Sequence, residues 1–265
     1  MIGIFDSGIG GLTVVKEFFK YLPEYQIVYF GDTAHLPYGT KSPNFIKKRS
    51  KEIVEFLLKK GCKVIVIACH TSSSIAYDFL KKEFSNLPVF EIITPGIKKA
   101  VKLTKNKKIG IIGSPGTIKS GVYRKKLLSI DPSLKIYSQP CPLLVPLVEE
   151  GWIRRKETKE VAKEYLLPLK RKGIDTLILA CTHYPLLKKT ISEIAGKNIK
   201  IVNPAKDFLT EFKKFLADNN KIKNLLEKRV NQKGHQFFVS DEPYNFKILS
   251  KLCLGKKINS KIVRF

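Results

Sequence analysis

The sequence predicts an α/β fold: two similar parallel-sheet domains related by a pseudo-two-fold axis, with an active site in the cleft between them. Three observations carry that expectation. Short apolar, β-branched runs alternate with amphipathic stretches through most of the chain. The runs are apolar at nearly every position rather than at every second one, as in strands covered on both faces by helices. Finally, two strand-to-loop motifs each occur twice, in the same order.

In the first half, strands are expected at residues 2–5, 26–30, 64–68 and 89–92, and in the second at 108–112, 135–137, 176–180 and 200–202. Amphipathic helices are expected at 43–60, 72–84, 157–171 and 204–219. Pro43 after Ser42 suits a first helical turn, and Gly61 and Gly173 stand where helices should stop. The repeat is read from Ile2-Gly3-Ile4-Phe5-Asp6-Ser7 against Ile109-Gly110-Ile111-Ile112-Gly113-Ser114. Its second pair is Val64-Ile65-Val66-Ile67-Ala68-Cys69-His70-Thr71 against Thr176-Leu177-Ile178-Leu179-Ala180-Cys181-Thr182-His183. Two ordered matches point to two related halves.

Composition narrows the class. Hydrophobic residues make up 43% and aromatics 10%, enough for a packed core. No run approaches the ~18 apolar residues of a membrane span. The chain opens directly on a strand pattern without a basic leader, so a cytoplasmic protein is expected. Its 5 cysteines are odd in number, dispersed and free of any Cys-x-x-Cys pair, which speaks against a disulfide framework and against a metal site. The net charge is +26, yet only 7 of the 49 basic residues are arginine, and lysine is spread over every expected helix. That pattern describes a solvated surface rather than a nucleic-acid stripe, so nucleic acid is not expected as a primary partner. The charge would still concentrate an anionic substrate such as a dicarboxylate.

Functional groups in open α/β sheets gather beyond the carboxyl ends of the strands, where Cys69 and Cys181 both stand. Either alone could be a buried packing residue. As a matched pair facing one cleft, they could take a proton from one face of a carbon and return one to the other. A thiol with an ordinary pKa of ~8.5 can serve as base or acid in that exchange. Asp6, at the end of the first strand, is expected to assist the first thiol, and the matching Gly113 leaves the acid unduplicated. The glycines of Gly8-Ile9-Gly10-Gly11 lack dinucleotide-loop spacing. The loop Asp32-Thr33-Ala34-His35-Leu36-Pro37-Tyr38-Gly39 is suited to substrate contacts or to a plain turn. His183 is the expected assistant of the second thiol, whereas Glu149-Glu150 reads on composition as a solvated helix end. His235 reads as a surface residue, and Cys62, Cys141 and Cys253 as packing. No lysine stands in a recognisable pyridoxal-phosphate context.

Together these motifs resemble the glutamate racemases of the aspartate/glutamate racemase superfamily. The likeness runs through Ile4-Phe5-Asp6-Ser7-Gly8-Ile9-Gly10-Gly11, Gly31 to Gly39, Ala68-Cys69-His70-Thr71, Val145-Pro146-Leu147-Val148-Glu149-Glu150 and Ala180-Cys181-Thr182-His183-Tyr184-Pro185. It implies racemisation of L- to D-glutamate without a cofactor, the product supplying peptidoglycan synthesis. Cys69 would act on the D-isomer and Cys181 on the L-isomer, with Asp6 assisting the first and His183 and Glu149 the second. Substrate would be held by Asp6, Ser7, Tyr38, Gly39, His70, Thr71, Thr182 and His183. The resemblance also implies a homodimer, one domain of residues 1–92 plus 206–265, and a second of 93–205. One departure stands out: His70 and Ser72 replace the family's usual Asn and Ala, which bears on substrate grip and identity. The competing readings are a racemase for aspartate and a basic nucleic-acid-binding protein on the same scaffold.

Overall fold

The structure, a computed structural model, describes residues 1–226 and 234–265. All eight expected strands form. In the first half they are β1 (Ile2–Asp6), β2 (Ile27–Gly31), β3 (Val64–Ile67) and β4 (Val89–Glu91). In the second they are β5 (Lys108–Gly113), β6 (Lys135–Pro140), β7 (Thr176–Ala180) and β8 (Lys200–Val202). Two further strands, β9 (Gln236–Val239) and β10 (Lys261–Ile262), lie in the C-terminal segment. Gln236-Phe237-Phe238-Val239 carries a β-prone signal, but it is short and surrounded by lysine-rich sequence.

The strands build two sheets, ordered β10-β9-β2-β1-β3-β4 and β6-β5-β7-β8. Every strand pair among the described residues is parallel. The run β2-β1-β3-β4 thus has the same order as β6-β5-β7-β8, with β1 matching β5 and β3 matching β7. The repeated motifs occupy equivalent places in two α/β domains. Successive side chains of a strand feed opposite faces: Ile2 and Ile4 enter one core and Phe5 the other, and Ile111 and Ile112 divide in the same way. That two-sided burial is why these runs are apolar throughout.

Helix ends follow local chemistry. Ser42 caps the helix Pro43–Lys59 by accepting from the Phe45 N–H at 3.2 Å, and Gly61 leaves it at φ +88°. The stretch expected as one helix over 72–84 forms two, His70–Ile75 and Tyr77–Glu83, parted at Ala76. It begins earlier because the Cys69 sulfur is its cap, accepting from the Ser72 N–H at 3.5 Å. It breaks early because Thr71 to Ser74 are weak helix formers, and the Ser73 hydroxyl binds back to the Ile67 carbonyl at 3.0 Å.

The chain crosses from the first sheet to the second after β4 and returns after β8 through the helix Pro204–Asp218. That returning helix packs Phe208 and Phe212 against Phe18. Each such buried aromatic contributes roughly 1.5–3 kcal/mol through burial. His235, expected at the surface, is half-buried: its ring stacks on Phe19 at 4.3 Å and its Nδ1 accepts from the Ile27 N–H. No helix among the described residues is long and apolar enough to cross a membrane.

Candidate active site

Cys69 follows β3 and Cys181 follows β7, so the matching topology brings both thiols to the carboxyl edges of their sheets. They line one cleft, 5% and 9% exposed. The first domain contributes Ser7, Tyr38, Gly39, His70 and Thr71 to its walls, and the second Ser114, Val145, Thr182 and His183. The cavity between them is about 20 Å³, room for about one water. Closure is tight: a Cβ on Gly39 would fall 2.6 Å from Ser114 Cβ, and one on Gly10 2.5 Å from His183 Cε1. Bare backbone is needed at both positions because the opposing domain fills the space of a side chain.

Around Cys69 the partners are hydroxyl and amide groups. Its thiol donates to Ser7 Oγ at 3.6 Å, and its sulfur accepts from the Ser72 N–H. Burial and then the Asp6 charge push the Cys69 thiol up, outweighing these hydrogen bonds, so the group rests protonated. Around Cys181 the partner is an imidazole. His183 Nδ1 lies 3.7 Å from the Cys181 sulfur, and its Nε2 lies 2.5 Å from Glu149 Oε1. Burial opposes a charged His183, but the Cys181 and Glu149 partners outweigh it and hold its pKa well above the ordinary value. Both ring nitrogens of the imidazolium then carry hydrogens, one directed at sulfur and one at carboxylate.

Asp6 is held from both domains. Fully buried, it accepts from the Gly8 N–H at 3.0 Å and from the Thr182 hydroxyl at 3.1 Å. Burial raises its pKa to about 6 against the pull of His183 and these hydrogen bonds. Glu149 closes the helix Leu144–Glu149 and binds His183, whereas its neighbour Glu150 faces exposed Tyr244. One of the two carboxylates that composition reads as solvated therefore turns inward. The Asn245 side-chain amide, from the first domain, donates to the Glu149 carbonyl.

The remaining expected residues converge on the same place. Tyr38 lines the cleft while its hydroxyl donates to Asp32 Oδ2 at 2.6 Å. Asp32 is gripped by Arg49 Nη2 at 2.9 Å and Nε at 3.0 Å. Thr71 Oγ1 meets Ser114 Oγ at 2.8 Å and Thr117 Oγ1 at 3.0 Å across the domain boundary. Thr182 is tied back to the first domain where the Thr13 hydroxyl donates to its carbonyl at 2.9 Å.

Sequence reasoning missed Arg49, Ser114, Thr117 and Tyr123. Ser114 had a signal, since it holds after β5 the place that Ser7 holds after β1. Tyr123 had none: its hydroxyl meets His70 Nδ1 at 2.6 Å across 53 positions of sequence. The other cysteines are buried away from this lining, and burial pushes Cys62 up to about 12.

Residues 10–206 match the profile of the Asp/Glu/hydantoin racemase family. The chain is 43% identical over 257 residues to the glutamate racemase of Geobacter metallireducens, covering 97% of this chain and 93% of that one. With the Aquifex pyrophilus glutamate racemase it is 42% identical over 261 residues, covering 98% and 96%. The crystal structure of Francisella tularensis glutamate racemase in complex with D-glutamate superposes with a TM-score of 0.90 at 37% identity, covering 99% and 96%.

Proposed function

Because the chain belongs to the Asp/Glu/hydantoin racemase family, we propose that it interconverts L- and D-glutamate by passing protons between Cα and the Cys69 and Cys181 thiols. The chain is an isomerase whose relatives at this identity are glutamate racemases. The observation that carries the two-thiol reading is the placement of both cysteines at equivalent strand ends on the walls of one cleft.

In the L-to-D direction, Cys181 as thiolate takes the Cα proton while the His183 imidazolium, backed by Glu149, faces its sulfur. Cys69, resting as a thiol, gives its proton to the opposite face of the carbanion. D-glutamate leaves behind a Cys181 thiol and a Cys69 thiolate, and the reverse reaction or proton exchange resets the pair. The difficult step is the loss of a weakly acidic Cα proton. Charge that develops on the adjacent carboxylate is best met by preorganised donors in a water-poor site. His70, Thr71 and Thr182 border the cleft at the two thiols and supply such donors. No added cofactor enters this scheme, because the two thiols account for both proton transfers. The same reading takes the D-glutamate to supply peptidoglycan synthesis in the cytoplasm, and the active form to be a homodimer.

The test is circular dichroism of the purified protein with L-glutamate in deuterium oxide, without added cofactor, followed by mass analysis of the product. Loss of optical signal with one deuterium gained at Cα is the expected result. Folded protein with reduced thiols that neither inverts nor exchanges glutamate overturns the substrate, and aspartate is then the next amino acid to assay.

A further inference from the structure

We propose that Tyr123 is a positioning residue acting through His70 across the domain boundary. Its phenol donates to His70 Nδ1 and thereby fixes the imidazole tautomer that offers Nε2–H to a substrate carboxylate. The inference deepens the glutamate reading and rests on it for the identity of the substrate.

The two residues come from different domains. His70 opens the helix His70–Ile75 directly after Cys69, and Tyr123 lies at the start of the helix Val122–Ile130, which follows Gly121 at φ +68°. Both are buried, 4% and 3% exposed, with their rings inclined at only 26°. The Nδ1 to hydroxyl distance is 2.6 Å, and His70 also lines the cleft beside Cys69. The adjacent residue, Thr71, bridges the same seam to Ser114 and Thr117. Domain closure is therefore what brings Tyr123 to His70.

Chemistry decides who donates. Burial holds the His70 pKa down to about 3, so its ring is neutral and carries a single N–H. Burial, followed by the Glu91 and Cys181 charges, holds Tyr123 well above its ordinary value, so the phenol keeps its proton. Between a neutral phenol and a neutral imidazole, the phenol is the stronger acid and the imine nitrogen the stronger base. O–H···Nδ1 is the favoured arrangement, and the ring hydrogen is left on Nε2. The alternative would spend that hydrogen on Tyr123 and turn a lone pair toward an anionic substrate. Tyr123 thus sets whether His70 attracts a carboxylate or repels it. An asparagine at position 70 would need no such help, because its amide carries donors whatever its neighbour does.

Tyr123→Phe keeps the ring and removes only the hydroxyl. Loss of one aligned hydrogen bond predicts a rise in KM for glutamate of about 3- to 10-fold, with kcat changed less than about twofold. In the His70→Asn background the same substitution should leave KM within about twofold. Nitrogen-15 spectra of histidine-labelled protein read the tautomer directly, and the chain has only 4 histidines. His70, identified by loss of its signals in His70→Asn, should show a protonated Nε2 and a bare Nδ1, and should become a tautomer mixture in Tyr123→Phe. A protonated Nδ1 in the unmutated protein overturns the proposal, as does an unchanged KM in Tyr123→Phe or an equal KM rise in both backgrounds. Failure of the unmutated protein to racemise glutamate would instead sink the functional reading, while the spectra would still decide the tautomer.

Discussion

Cys69 and Cys181 follow matching strands in sheets of matching order, yet one faces hydroxyls and an amide and the other an imidazole held by a carboxylate. The fold repeats the position of the sulfur, and the groups packed around it differ. On the Cys69 side, burial and the Asp6 charge keep the thiol protonated. On the Cys181 side, a cationic His183 faces the sulfur. On the two-thiol reading, these two copies of one scaffold would serve as unlike ends of a proton path.

The hardest way to break this comparison is to remove a sulfur. Cys69→Ala and Cys181→Ala should each lose about 10²- to 10⁴-fold in racemisation, in both directions, with folding retained. Optical activity followed from each enantiomer reads it, and substantial turnover in either variant would end the two-thiol scheme.

A smaller effect sharpens the assignment of sides. The enantiomers are equal in free energy, so kcat/KM must fall equally in both directions for any variant, and only kcat can reveal asymmetry. His183→Asn should lower kcat about 10²-fold from L-glutamate, and less from D-glutamate. Equal losses of kcat would detach His183 from the Cys181 side.

The smallest effect concerns stability. Asp6 has a folded pKa of about 6 against an ordinary carboxyl value of 3.8. Its protonated form is therefore favoured by folding. That contribution is complete below pH 3.8, is lost as pH rises through about 6, and costs about 3 kcal/mol at pH 7.5. Asp6→Asn can keep the Gly8 contact through Oδ1 and donate to the Thr182 hydroxyl through Nδ2. The variant should melt several degrees higher at pH 7.5, lose that advantage toward pH 4, and turn over glutamate more slowly. A lower Tm at pH 7.5 would mean that the carboxylate charge stabilises the fold.

Local signals in the sequence were legible, and contacts across the cleft were not. The strands and both thiols could be read because burial on two faces and strand-end position leave marks within a few residues. Glu149 shows the limit: next to Glu150 it has the composition of a solvated helix end, and only the approach of β7's loop turns it onto His183. His70 was noticed as a substitution, but its meaning depends on Tyr123 in the other domain. The helix start at His70 reflects a similar blind spot, since a helical pattern gives no warning that a thiol will cap the helix.

The narrowness of the cleft has a consequence for timing. A cavity of about 20 Å³ is smaller than an amino acid, so on the proposed reading substrate enters and product leaves when the walls of the cleft part. Such openings would part Thr71 from Ser114 and His70 from Tyr123, and would also let bulk water reach the sulfurs. Entry, release and proton resetting would then share one mechanical event, resisted by a seam of a few hydroxyl contacts.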